Sequence, residues 1–308
     1  MPDLIGRPVI GILTLRRRGS PPRGAVWPQR RTFREIILEG RRQGALVYVF
    51  EPQDVDWRRE RVRGYRYLPR AAGGGRWVRV LCPMPDVVYN RISTRTAESR
   101  PISRRCLARF YRRLGPRIFN PFYLNKELVA RILSEDAGVA RHLPATVPLT
   151  GLQGLAGMLR LYRYLYLKPV HGSLGNGTVE LRRGASGPIR VRYNRGRGRT
   201  RSATASGLLP LWRSLRGLFR RRYVIQQGIP VARYRGRRFD LRVLAQKDQD
   251  GRWHFTGAAA RVAARGQITT HVPRGGRRVP METVLAEVFG ADRLPQLTQR
   301  LEELAVRA

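Results

Sequence analysis

The chain has 308 residues, 42% of them hydrophobic and 8% aromatic, which is enough to build one large or two medium cores and too apolar for a disordered chain. Its 61 Lys and Arg against 21 Asp and Glu leave a formal charge of +40, which favours an anionic partner. The longest apolar runs, Val9 to Leu15 and Ala45 to Phe50, fall short of the roughly 18 residues of a membrane span, and the first runs into Arg16, Arg17 and Arg18 with no cleavage site, so neither a membrane helix nor a signal peptide is expected.

In chain order, Pro8 to Thr14 predicts a buried strand, Phe33, Ile36 and Ile37 supply the apolar face of a helix ending near Gly44, and Ala45 to Phe50 predicts a second strand. That is a βαβ opening. Trp57 to Arg79 reads as a β excursion around the Gly73-Gly74-Gly75 turn, Asp86 to Arg91 as another strand, and Ser103 to Leu114 as a helix. Gly115-Pro116 marks a boundary, giving a domain 1–115 and a domain 116–308. In the second domain Asn125-Lys126-Glu127 opens an amphipathic helix through Val129, Ile132 and Leu133. A helix over Leu152 to Tyr164 precedes the strand Leu165 to Val170 and the glycine-rich turn His171 to Thr178. That turn joins two strands, so it is neither a Walker loop nor a Rossmann fingerprint. Tyr223 to Ile229 predicts a strand broken at Gly228. Phe239 to Leu244 and Thr256 to Val262 follow as strands, and then the block Ile268 to Gly276. Cys82 and Cys106 lack metal-ligand spacing and read as reduced structural thiols.

Of the 61 basic residues only Lys126, Lys168 and Lys247 are lysines, a ratio that points to a bias replacing lysine by arginine wherever either cation serves. A lysine survives where a compact ammonium must reach one oxygen and a planar fork does not fit. Lys247 lies in a hairpin turn and reads as surface, which leaves Lys126 and Lys168. A strand ending in Lys168 before a glycine-rich turn suits a phosphate clamp, because glycines admit backbone N–H groups close to oxyanions. A flexible hairpin with a buried lysine stem fits the same residues.

The order of these blocks resembles the ATP-grasp superfamily, and in detail the YheC/YheD family of endospore coat-associated proteins, with the similarity strongest from Ile118 to Gly276. The resemblance implies an α/β (α+β ATP-grasp) fold with a pre-ATP-grasp-like βαβ domain ahead of it. It implies that Lys126 and Lys168 bind nucleotide phosphates and the adenine edge. The loop Gly172, Ser173, Gly175 and Gly177 would cover the triphosphate. Gln226, Gln227, Gly228 and Ile229 would be the hinge beside adenine, with Ile229 on its ring. Asp240 and Arg242 match the Asp-x-Arg element, and Arg242 with Arg261 would face the phosphates or an acyl phosphate. His271 stands where related ligases have asparagine, and is either a substrate contact or a satisfied loop histidine. The family's Glu-x-Asn magnesium motif does not occur in the 308 residues, and the chain ends at Leu301 to Ala308 inside the helix expected before it. The expected domain is therefore C-terminally truncated, with ATP as cofactor, magnesium implied by the family, and its ligands unidentified.

Three functions follow as expectations: an ATP-binding, ligase-like protein acting on a carboxylate, in the cytoplasm or at the spore coat; a non-catalytic scaffold among spore-coat proteins; or a nonspecific polyanion binder. The last rests on Arg182, Arg183, Arg190, Arg192, Arg195, Arg197, Arg199 and Arg201. No membrane partner is expected.

Overall fold

The computed structural model describes residues 6–16, 27, 29–71, 74–172, 175–184, 187–194, 200–218 and 220–308, with 218 by its backbone alone. The chain divides into two compact units, Met1–Tyr123 and Leu124–Ala308.

The first unit runs β1 (Val9–Leu13), α1 (Arg30–Arg42), β2 (Leu46–Phe50), β3 (Val55–Asp56), β4 (Arg61–Pro69), β5 (Gly75–Pro83), β6 (Val87–Asn90), α2 (Arg95–Glu98), α3 (Pro101–Leu114) and β7 (Ile118–Phe119). Its sheet has the order β3-β4-β2-β1-β6-β7, with β5 paired to β4. β2, β1, β6 and β7 are parallel, joined to an antiparallel β4–β5 hairpin. All five residues of β2 are buried because both sheet faces are covered. Val47 and Val49 meet Phe33 and Ile37 of α1, whereas Leu46, Tyr48 and Phe50 alternate to the side of Cys106, Leu107 and Phe110 of α3.

The second unit runs α4 (Lys126–Ser134), α5 (Ala137–Ala140), β8 (Thr146–Pro148), α6 (Leu152–Leu161), β9 (Tyr164–Pro169), β10 (Val179–Arg183), β11 (Ile189–Asn194), β12 (Thr200–Ala205), α7 (Leu208–Leu215), β13 (Tyr223–Gln227), β14 (Arg233–Tyr234), β15 (Arg237–Lys247), β16 (Trp253–Val262), β17 (Arg277–Pro280), α8 (Met281–Phe289) and α9 (Leu294–Arg307). Two antiparallel sheets result, ordered β12-β11-β10-β9-β13-β8 and β14-β15-β16-β17. Each has one apolar face, read from the two-residue period of its strands. In the six-stranded sheet Leu165, Leu167, Val179, Leu181, Val191 and Ile225 pack beneath α6 and α7. In the four-stranded sheet Phe239, Ala260 and Val262 pack against Met281, Val284 and Leu285 of α8. The alternate residues of both sheets form polar faces, and the candidate site lies on these.

Two local expectations are corrected. α6 stops at Leu161 and β9 begins at Tyr164, because Tyr164 is already paired with Arg182 of β10 and its carbonyl accepts Gly228 N–H. α4 has its predicted cap, with Asn125 Oδ1 accepting Leu128 N–H at 2.8 Å, yet none of its residues is buried. Its Val129 and Leu133 line a cavity instead of entering a core.

Candidate functional site

Lys126 and Lys168 converge on the loop end of β9. Lys126, the first residue of α4, donates from Nζ to the carbonyls of Pro169 at 2.9 Å and Gly172 at 2.7 Å. It thereby grips the point where the strand becomes the glycine-rich turn. Lys168 donates from Nζ to Gln226 Oε1 at 2.5 Å, and Gln226 Nε2 donates to Thr146 Oγ1 at 2.8 Å. Burial lowers the Lys168 pKa below that of an ordinary lysine, the charge of Lys126 lowers it further, and Asp240 partly offsets both. A cavity of about 720 Å3 opens between α4, β8 and β13, walled by Lys126, Thr146, Lys168 and Gln226.

The glycine-rich turn is tied to the segment before β17. Gly175 has φ +67°, and a Cβ there would lie 2.9 Å from Thr269 Cγ2, so both the backbone and the close approach require glycine. Asn176 Oδ1 accepts from Arg274, whose side chain is buried, and Asn194 Nδ2 donates to Gly175 O at 3.2 Å. Gly172 and Gly177 flank this contact; Ser173, also expected in the loop, lies outside the described residues. The arginine-rich stretch is likewise described only in part, since Arg195, Arg197 and Arg199 are outside it.

At the other end of the cleft, Gln227 N–H donates to Ala145 O at 2.8 Å and Gly228 N–H to Tyr164 O at 2.7 Å. Gly228 sits beneath the Tyr164 ring, where a Cβ would collide, and Ile229 stands exposed beside it.

On the facing sheet, Asp240 accepts from Arg261 through two bonds, Nε to Oδ1 at 2.8 Å and Nη2 to Oδ2 at 2.7 Å, and from Thr270 Oγ1 at 2.7 Å. Arg242 is exposed and one strand position pair further on, opposite Ala259. His271 lies below the ordinary histidine pKa, because burial and the charges of Arg261, Arg274 and Lys168 outweigh the support of Asp240. These mutual influences show that Lys168, Asp240, Arg261, His271 and Arg274 share one electrostatic neighbourhood spanning both sheets. Arg242 and Ile229 are both exposed side chains, and none of these interactions brings them into contact with it.

Five contributors were not picked out from the sequence: Thr146, Thr270, Arg274, and Glu180 with its ion-pair partner Arg238. For Glu180 a signal existed, since it is the sole acidic residue between Asp136 and Asp240.

The donor set suits a polyphosphate, which would find Lys126, Lys168, Arg261 and Arg274 around it. It does not suit magnesium, which takes oxygen ligands. The carboxylates on the facing strands, Glu180 and Asp240, each hold arginine on both oxygens. Among the described residues no three of His, Cys, Asp and Glu gather in a way that would hold a metal ion.

The family model for YheC/D-like ATP-grasp matches residues 115–308. The endospore coat-associated protein YheD of Bacillus subtilis strain 168 is 26% identical over 262 residues, a match covering 83% of this chain and 55% of that protein. The chain thus spans about half the length of the curated relative it matches. Among solved structures, D-cycloserine synthetase DcsG is 15% identical with a TM-score of 0.44, covering 92% of this chain and 80% of its own. D-alanyl-alanine synthetase A of Vibrio cholerae is 11% identical with a TM-score of 0.39, covering 96% and 79%. With the family model spanning well over half of its residues, the chain belongs to the YheC/D-like ATP-grasp family.

Proposed function

We propose that the second unit, Leu124–Ala308, binds ATP in the cleft between the six-stranded and four-stranded sheets, with its phosphates toward the loop end of β9. The carrying observation is the convergence of Lys126 and Lys168 on Pro169, Gly172 and Gln226, opposite the Asp240–Arg261–Thr270 cluster. The ammonium groups would supply charge for phosphate oxygens, Gly172, Gly175 and Gly177 would leave room for backbone N–H groups to approach them, and the Gln227–Ile229 segment would lie where a base edge is read. The first unit, Met1–Tyr123, would serve as the pre-ATP-grasp unit.

In this reading the protein is a ligase-like member of its family, acting on a carboxylate through an acyl phosphate and associated with the endospore coat, as the YheD relative is named. Arg242 and Arg261 would face the transferred phosphoryl group, where fixed cations stabilise spreading charge. A second reading, nucleotide binding without turnover in a scaffold, is favoured by one observation: both Asp240 oxygens are already engaged by Arg261, and Thr270 adds to one of them.

Calorimetric titration with ATP at about 0.3 M salt, which screens loose attraction to the arginines, tests the proposal. One saturable site is expected, weakened about 10- to 100-fold by Lys168→Ala through the loss of a charge-assisted contact. Absence of a saturable site overturns it. ATP consumption in the presence of acids and amines separates the ligase from the scaffold.

A further inference from the structure

The polar face of the six-stranded sheet carries one carboxylate, Glu180 of β10, whose side chain is 1% exposed. Its neighbours Val179 and Leu181 enter the core beneath α6 and α7, so Glu180 is turned toward the other sheet. An unpartnered buried carboxylate is costly, and Glu180 is held from both sheets. From its own sheet Arg182 Nε donates to Oε1 at 3.1 Å and Tyr166 OH to Oε2 at 3.1 Å. Across the cleft comes Arg238 of β15, whose Nη2 donates to Oε1 at 3.2 Å, while its Nη1 donates to Oε2 and, at 3.0 Å, to Tyr166 OH.

Both outgoing connections reach the chain segments that carry the nucleotide cluster. Arg238 lies two residues before Asp240 on the same strand, hence on the same face. Arg192, with Nη1 3.6 Å from Glu180 Oε1, donates from Nη2 to Gly266 O at 2.6 Å, four residues before the Thr270 that donates to Asp240. Tyr166 completes the link, its ring centroid 5.2 Å from Lys168 Nζ. Replacing a buried ion cluster by apolar residues of similar volume is often neutral or stabilising, so this cluster is weak evidence for a stability role and is consistent with a role in geometry.

We propose that Glu180 is a positioning residue of the nucleotide cleft, fixing the four-stranded sheet through Arg238 and Arg192 so that Asp240, Arg261 and Thr270 stand opposite Lys168. The inference rests on the ATP-binding reading and adds a residue to it.

Glu180→Gln, which keeps size and removes charge, and Arg238→Lys, which keeps charge and removes the fork, test it in the full chain. Each is titrated with ATP across pH and melted without nucleotide. Both are expected to weaken ATP about 10-fold while still melting cooperatively. Lys168 is faced by Lys126, Asp240 and His271, and only Asp240 supports its charge. A displaced Asp240 therefore moves the alkaline fall of ATP binding to lower pH in both variants. Unchanged affinity and pH profile with a lowered melting temperature would make the cluster structural and overturn the proposal. If Glu180→Gln does not fold, Arg238→Lys decides by the same two readouts. Failure of the unaltered chain to bind ATP sinks the nucleotide reading and this proposal together, whereas binding that both variants retain in full sinks only this one.

Discussion

Asp240 and Arg261 stand directly opposite each other on β15 and β16 and meet side-on, with both guanidinium-to-carboxylate bonds under 3 Å, at 2.8 and 2.7 Å. The pair orients the Arg261 fork and places a negative charge where it supports Lys168 and His271. It thus tempers a cationic site that would otherwise repel itself.

Removing that charge has two expected effects. With Asp240 42% exposed, solvent screening limits the stability loss of Asp240→Asn to about 1 kcal/mol. The Lys168 ammonium loses its support, so ATP binding in the variant declines at lower pH than in the unaltered chain. Thermal melts and titrations over a pH series check both effects, and an unshifted alkaline limb would show that Asp240 does not act on Lys168.

Lys168 also gives pH effects of opposite sign on folding and binding. Its folded pKa is depressed, so between that value and the ordinary lysine value the unfolded chain holds the proton more strongly. Stability of the nucleotide-free chain therefore gains from this group as pH rises through the window. If the proposed site binds ATP through the charged form of Lys168, affinity falls over the same window. Parallel denaturant melts and titrations at alkaline pH would reveal the divergence, and a parallel fall in both would argue against a depressed Lys168.

Gly228→Ala would place a methyl group inside the van der Waals surface of the Tyr164 ring. That ring lies 3.9 Å from the Arg182 guanidinium carbon, and its hydroxyl donates to Tyr166 at 2.7 Å, so it has little room to retreat. The expected loss is about 1–3 kcal/mol of stability, as for overpacked interiors, together with weaker ATP binding. Melting that matches the unaltered chain would show that the ring yields freely.

The two cysteines report on the first unit. Burial pushes the Cys82 thiol up to about 11 and Cys106 up to about 12, and both are free. Near pH 8 the thiolate, which is the reactive form, is scarce at each. Iodoacetamide is expected to leave both unmodified in the folded chain and to alkylate both in denaturant, as read by mass spectrometry. Prompt native labelling of Cys106 would contradict its place beneath Phe110 and Leu107.

By itself the sequence determined what is local and periodic. The opening β1–α1–β2, the Asn125 cap, and the strands from Tyr223 and Phe239 follow from side-chain alternation, capping chemistry and helical spacing, each expressed within a few residues. Lys126 and Lys168 stood out for a different reason: they are two of three lysines in a chain that favours arginine, and the fold brings both to the loop end of β9. Tertiary structure alone decided which polar residues meet. Glu180 and Arg238 are 58 positions apart, Asn176 and Arg274 are 98 apart, and neither pair has a spacing that announces contact. The register of β15 on β16 brings Asp240 to Arg261, and the approach of two sheets brings Arg238 to Glu180. Local pattern states which face of a strand a residue occupies, but what stands opposite that face depends on how separate sheets pack, and so the lysines could be singled out from the sequence while the ion cluster that links the two sheets could not.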